Sequence, residues 1–276
     1  MRQFEVTSGG AQLAAEESGD GPLVVALHAG VADRRSWRSM AAAMAGYRFV
    51  AYDRRGFGET AYEPETFSHM EDLTAVMSAA STGGAAVLVG NSMGGALALE
   101  YTLAHPEQVA ALVLIAPAVD GAPDEFWAPT PGEVALEEQV GAAAKAGDLE
   151  LLNRLEVHFW LDGPEAPDGR VAGEVRDLAL DMNAIALRAK PTGDEQQAAG
   201  EPAWERLGGL TAPTLLIAGD LDESSMPAVW RGLVERAPHA EFVLIPGVAH
   251  LPQMERPQEV ADLVRDFLGR NGVARR

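Results

Sequence analysis

Ser92 lies in the run Gly90-Asn91-Ser92-Met93-Gly94-Gly95, directly after the apolar stretch Ala85 to Val89 and just before a segment with helical spacing from Ala96. A serine on a sharp strand-to-helix turn projects its hydroxyl from a strained backbone, and small residues two before and two after keep the turn from colliding with itself. Gly90 and Gly94 meet that demand. The helix that follows points its first N–H groups and the positive end of its dipole at the turn, which favours an oxyanion there. A hydroxyl is a poor nucleophile until a base takes its proton, so a histidine is required. Of His28, His69, His105, His158, His239 and His250, the last is the best placed, because Val248-Ala249-His250-Leu251-Pro252 follows the apolar run Phe242 to Ile245. The base in turn needs a carboxylate to fix its tautomer. Asp220 and Asp222 both follow the run Leu215 to Ile217 and are both candidates. A loop after Leu23 to Leu27, His28-Ala29-Gly30-Val31, can present the Gly30 N–H beside that of Met93 as an oxyanion hole.

These residues lie far apart in sequence, so the fold must gather them. Val24 to Leu27, Phe49 to Tyr52, Val87 to Val89, Leu112 to Ile115, Leu215 to Ile217 and Phe242 to Ile245 are short continuous apolar runs, which suit strands buried on both faces. Helical spacing recurs between them, over Trp37 to Met44, Met70 to Ala79, Ala96 to Ala104, Val229 to Arg236 and Val260 to Leu268. This alternation predicts an α/β fold with a mainly parallel sheet and helices on both faces. Phe4 to Ser18, with Gly9-Gly10 in the middle, reads as a hairpin leading into it. The rhythm breaks between residues 119 and 201, where Glu133 to Ala146, Leu149 to Phe159 and Val171 to Arg188 read as three helices. The expected division is a core of residues 1–118 and 202–276 with a helical cap inserted over 119–201. In open parallel sheets the site forms at the C-terminal ends of the strands, where Ser92, His250 and both aspartates fall.

At this point the sequence resembles the α/β-hydrolase superfamily, in particular its capped esterase, lactonase and C–C hydrolase branch. The likeness rests on His28-Ala29-Gly30, Tyr52-Asp53-Arg54-Arg55-Gly56-Phe57-Gly58, Gly90 to Gly95, Gly219-Asp220-Leu221-Asp222, and Gly247 to His250 with Glu255-Arg256-Pro257. It spans almost the whole chain. It implies an eight-stranded sheet, and the family's Gly-x-x-Asp loop selects Asp222 over Asp220. The implied catalytic set is Ser92, Asp222 and His250, in the chain order of that fold. Serine at position 92 sets aside haloalkane dehalogenases and epoxide hydrolases, which carry aspartate there. Ala29 departs from the glycine usual in this branch. The general layout is similar to that of 3-oxoadipate enol-lactonases.

Composition narrows the partners. With 21 Lys and Arg against 41 Asp and Glu, the formal charge is −20, so nucleic acid and anionic membrane surfaces are repelled. There are no cysteines, which removes thiolate chemistry and disulfides. No histidine spacing suits a metal and no glycine run suits a phosphate or dinucleotide, so no cofactor is expected. The N-terminus lacks a secretory signal and no run reaches membrane-spanning length, which makes a cytoplasmic location the expectation. Asp53 and the Arg54-Arg55 pair read as structural, holding their turn. His28, Phe126, Trp127, Trp160 and Met182 are candidates to line a substrate pocket. The expected activity is hydrolysis of a small, mainly apolar ester or lactone through an acyl-enzyme. A slow-turnover ligand receptor on the same fold, and a C–C hydrolase or perhydrolase on the same triad, are the alternatives. The sequence fixes neither the oligomeric state nor the physiological substrate.

Overall fold

The computed structural model describes residues 1–81, 83–196 and 200–273. Eight strands form one sheet: β1 (Arg2–Ser8), β2 (Ala11–Ser18), β3 (Leu23–Leu27), β4 (Arg48–Tyr52), β5 (Ala86–Asn91), β6 (Val109–Ile115), β7 (Thr214–Gly219) and β8 (Ala240–Ile245). Their order is β1-β2-β4-β3-β5-β6-β7-β8. β1 and β2 form the antiparallel hairpin, β2 joins β4 antiparallel, and β4 through β8 are parallel. From β3 the chain steps one way to β4, and later passes to the other side of β3 for β5. The crevice beyond the C-terminal ends of β3 and β5 is therefore the switch point where such sheets bind ligands.

Alternate residues of the central strands enter two cores. Val25, Leu27, Leu88, Leu112, Leu114 and Leu216 pack against the helices α2 (His69–Ala80), α3 (Met93–Ala104) and α8 (Met226–Arg236). Val24, Ala26, Val89, Val113 and Ile217 face α1 (Arg38–Ala43) and α10 (Pro257–Arg270). Burial on both sides explains why these strands read as unbroken apolar runs rather than alternating ones.

Between β6 and β7 the chain forms α4 (Pro131–Ala146), α5 (Leu149–Val157), a π-helical turn over His158–Asp162, α6 (Glu174–Leu187) and α7 (Ala203–Arg206). Thr130 caps α4 reciprocally with Glu133, Pro131 opens it, and Gly147 closes it in the left-handed conformation, φ 69°. A third core joins this insertion to the body: Val157, Leu161, Ala179 and Met182 pack with Ala29, Ala32, Leu251 and Met254. The last two come from the region of α9 (Pro252–Glu255), a short helix the hydrophobic pattern does not announce.

Candidate active site

Ser92 follows the last residue of β5 with φ 55° and ψ −118°. It and Ala116 (φ 43°), which directly follows β6, are the two non-glycine residues of positive φ among the described residues, and both line the same cavity. Strain of this kind persists only where the surroundings over-determine it. Here a side chain at Gly90 would place Cβ 2.3 Å from the Gly94 carbonyl oxygen, and one at Gly94 would sit 2.3 Å from the Leu27 oxygen. The turn thus packs backbone on backbone, and the Ser92 N–H donates to Ile115 O at 2.9 Å. Met93 is the first residue of α3, so its N–H has no partner within the helix.

Asp222 and His250 meet across the loops after β7 and β8. His250 Nδ1 lies 2.8 Å from Asp222 Oδ2, and Asp222 Oδ1 accepts from the Glu223 N–H at 2.8 Å. Both side chains are buried. Gly219 makes the approach possible, since a Cβ there would be 2.1 Å from Val248 O. Asp220, the other acid, is exposed and instead accepts from the Gly247 N–H at 2.6 Å, fixing the turn before the histidine. Ser92, His250, Gly30 and Met93 all line one cavity of about 620 Å³. No hydrogen bond joins the Ser92 and His250 side chains; such contacts commonly tighten only around a bound substrate.

The match of the alpha/beta hydrolase family's sequence pattern to residues 24–263 decides the family. This chain belongs to it. A 2-hydroxy-6-oxononadienedioate/2-hydroxy-6-oxononatrienedioate hydrolase of Paraburkholderia phymatum is 29% identical, over 97% of this chain and 95% of its own length. A pimeloyl-[acyl-carrier protein] methyl ester esterase of Aeromonas hydrophila is 26% identical, over 92% of this chain and 98% of its own. A thermophilic esterase from Thermogutta terrifontis shares the fold with a TM-score of 0.73 at 22% identity, covering 98% of each chain.

The pocket candidates of the hydrolase divide. Phe126, Trp127 and Trp160 line the cavity, and the Trp160 ring lies 4.5 Å from that of His250. His28 does not line it. It is fully buried; its Nε2 accepts from the Arg54 N–H at 3.1 Å, so Nδ1 must carry the proton it donates to Ala29 O at 2.7 Å. Burial first, then the Arg54 charge, holds its pKa well below the ordinary value, so it is a neutral latch for the loop after β3. Met182 is likewise corrected: it sits in the third core, its Sδ 3.4 Å from the Asp33 N–H.

Asp53 holds its turn, accepting from the N–H groups of Arg34 and Glu59. Burial and the nearby Asp33 push its carboxyl up to about 6. Arg55 is ion-paired with Asp72 and Glu65, whereas Arg54 is buried, pairs with no carboxylate among the described residues and lies over the Phe57 ring.

Three further groups shape the site and carry no motif visible in one sequence. Asn91, fully buried, donates through Nδ2 to Ile115 O (3.0 Å) and His250 O (3.1 Å), and accepts from Gln253 Nε2 (2.9 Å). It thereby ties the serine turn to the histidine loop. The insertion grips the loops after β7 and β8: the His250 N–H donates to Trp160 O at 3.2 Å, Arg170 pairs with Glu255 at 2.6 Å, and Glu133 Oε1 accepts from the Ser224 N–H at 2.6 Å. Glu255 also accepts from the Ala249 N–H, which gives the Glu-Arg-Pro motif a structural reason. Glu223, next to Asp222, is 4% exposed and lines the cavity. Among the described residues, no group of three or more His, Cys, Asp or Glu is arranged to hold a metal ion, and no helix is long and apolar enough to cross a membrane.

Proposed function

We propose that this hydrolase cleaves a small, mainly apolar carboxylic ester or lactone by covalent catalysis at Ser92. The observation that carries the reading is the buried Asp222–His250 pair at 2.8 Å, sharing one cavity with a serine held in a strained turn. His250 Nε2 takes the hydroxyl proton as Ser92 Oγ attacks the carbonyl carbon. Asp222 stays ionised and orients the imidazole. The oxyanion of the tetrahedral intermediate accepts from the N–H groups of Gly30 and Met93. Loss of one such donor typically lowers the rate about a hundredfold or more. His250 then protonates the departing alcohol oxygen, and a water it activates releases the acid. A cavity of about 620 Å³ is of ordinary size for a small-molecule site.

The test uses short-chain aryl esters and a fluorophosphonate probe. Wild-type protein is expected to turn the esters over and to be labelled once, at Ser92, and Ser92→Ala to lose both properties while keeping its melting temperature. Unchanged turnover in folded Ser92→Ala protein would overturn the mechanism. The likeness to the Paraburkholderia phymatum enzyme over 97% of this chain supports a second reading, C–C bond hydrolysis by the same triad. A panel of esters, lactones and vinylogous diketones separates the two by kcat/KM.

A further inference from the structure

The cavity that holds Ser92 and His250 has an unusual balance of charge. Its lining is mostly apolar or aromatic, with Phe126, Trp127 and Trp160 among its walls. The acidic side chains that line it are Asp120, Asp124 and Glu223, and among the described residues neither a lysine nor an arginine does so. Asp120 and Asp124 are exposed, at the mouth, and Glu223 is the deep one. Its Oε1 is buried and, among the described residues, has no hydrogen-bond partner. A buried carboxylate left without a donor is costly, so a group in the cavity that supplies one to it gains affinity. The groups facing Glu223 deepen the need: Asp222 beside it in the chain, and Glu133 and Glu137 from α4, are all acidic, and His250 opposes them when protonated.

We infer that the acyl or alcohol portion of the substrate carries a protonated amine, and that Glu223 receives this ammonium group. The inference rests on the Ser92 reading above for the reaction itself, and adds the substrate class. An ammonium supplies both the missing donor and the missing positive charge. Aromatic walls attract it further through their ring faces. The net charge of −20 draws cations toward the protein before contact. A carboxylate-bearing substrate meets the opposite field at each of these points. Burial, with Asp222 next, raises the Glu223 carboxyl to about 7, so the attraction strengthens as pH rises through neutrality and the carboxylate forms.

Three isosteric aryl esters test this, with a neutral branched alkyl, a primary ammonium or a carboxylate at the far end of the acyl chain; a second trio carries the same groups on the alcohol side. In wild type at pH 8 and low salt, the ammonium ester of one trio is expected to exceed its neutral partner in kcat/KM by tenfold or more, and the carboxylate ester to fall below it. The ammonium preference should shrink at pH 6 and drop by about an order of magnitude in Glu223→Gln, compared as a ratio within each enzyme. A wild-type preference for the neutral or carboxylate ester in both trios overturns the inference, whatever becomes of the variant. So does an ammonium preference that survives Glu223→Gln in folded protein. If no ester is turned over and Ser92 resists fluorophosphonate, the nucleophile reading fails separately. Binding of phenethylammonium against 3-phenylpropionate, followed by tryptophan fluorescence, then decides the charge preference without turnover: tighter phenethylammonium supports it, and equal or tighter phenylpropionate overturns it.

Discussion

Replacing Asn91 with alanine should unsettle the fold and the site together. Three hydrogen bonds vanish, but their loss is unequal. Ile115 O keeps the Ser92 N–H as a donor at 2.9 Å, so it stays satisfied. His250 O and Gln253 Nε2 lose the partners described above. Each buried polar group left unpaired costs about 1–3 kcal/mol, which puts Asn91→Ala near 4 kcal/mol. For a chain of this size each kcal/mol lowers the melting temperature by roughly 2–4 °C, so calorimetry should find a drop on the order of 10 °C. Gln253→Ala removes one of the same bonds, and the double variant should lose less than the sum of the singles, with a coupling of about 0.5–3 kcal/mol. Because the Asn91 amide holds the His250 backbone, kcat for an aryl ester should fall more than KM rises. A melting temperature within about 2 °C of wild type, or strict additivity with Gln253→Ala, would refute the idea that this amide couples the two loops.

Two more outcomes follow from the geometry. Glu223 holds its proton more tightly folded than unfolded, its pKa rising from 4.5 to about 7 through burial and then the neighbouring Asp222; the stability this gives is whole below about pH 4.5 and is lost as pH rises through 7. Melting curves of Glu223→Gln from pH 5 to 8 should therefore fall less with pH than those of wild type, and parallel curves would count against the burial argument. Gly219→Ala forces a Cβ against Val248 O and Ala249 O, at 2.1 and 2.5 Å, so the histidine loop must move; a loss of about 2 kcal/mol is expected with a larger fall in kcat. Gly209→Ala, whose Cβ meets nothing within 4 Å, is the control, and equal effects in the two would remove the steric explanation.

The elements that position the site were legible because each leaves a local mark. Continuous apolar runs gave the positions of β3 to β8 to within a few residues, since strands covered on both faces cannot alternate. Glycines at 90, 94 and 219 mark the close backbone approaches, and these fix where Ser92 and Asp222 stand. What stayed hidden is set by tertiary contact. His28 looks like a pocket residue in a loop beside the oxyanion donors, yet its ring turns inward to the Arg54 N–H. Met182 has the spacing of any amphipathic helix, and nothing local says which neighbour covers it. Asn91 is the variable position of its motif, and Glu133 reads only as the start of a helix; their second partners, His250 and Ser224, lie far away in the sequence. Glu223 carries no signal of burial, because the residues that line its cavity come from segments far apart in the sequence.

The grip of the insertion on the loops after β7 and β8 bears on traffic. A structure pinned at Ser224, His250 and Glu255 behaves as a vault and not as a hinged door: swinging it open would pull on the Asp222–His250 pair. Passage is left to the threshold, where Met93 and Trp127 are the large apolar side chains most open to solvent, at 50% and 53%. Reshaping the Trp127 side chain, which lies outside that machinery, is expected to change who may enter while leaving Ser92, Asp222 and His250 in place.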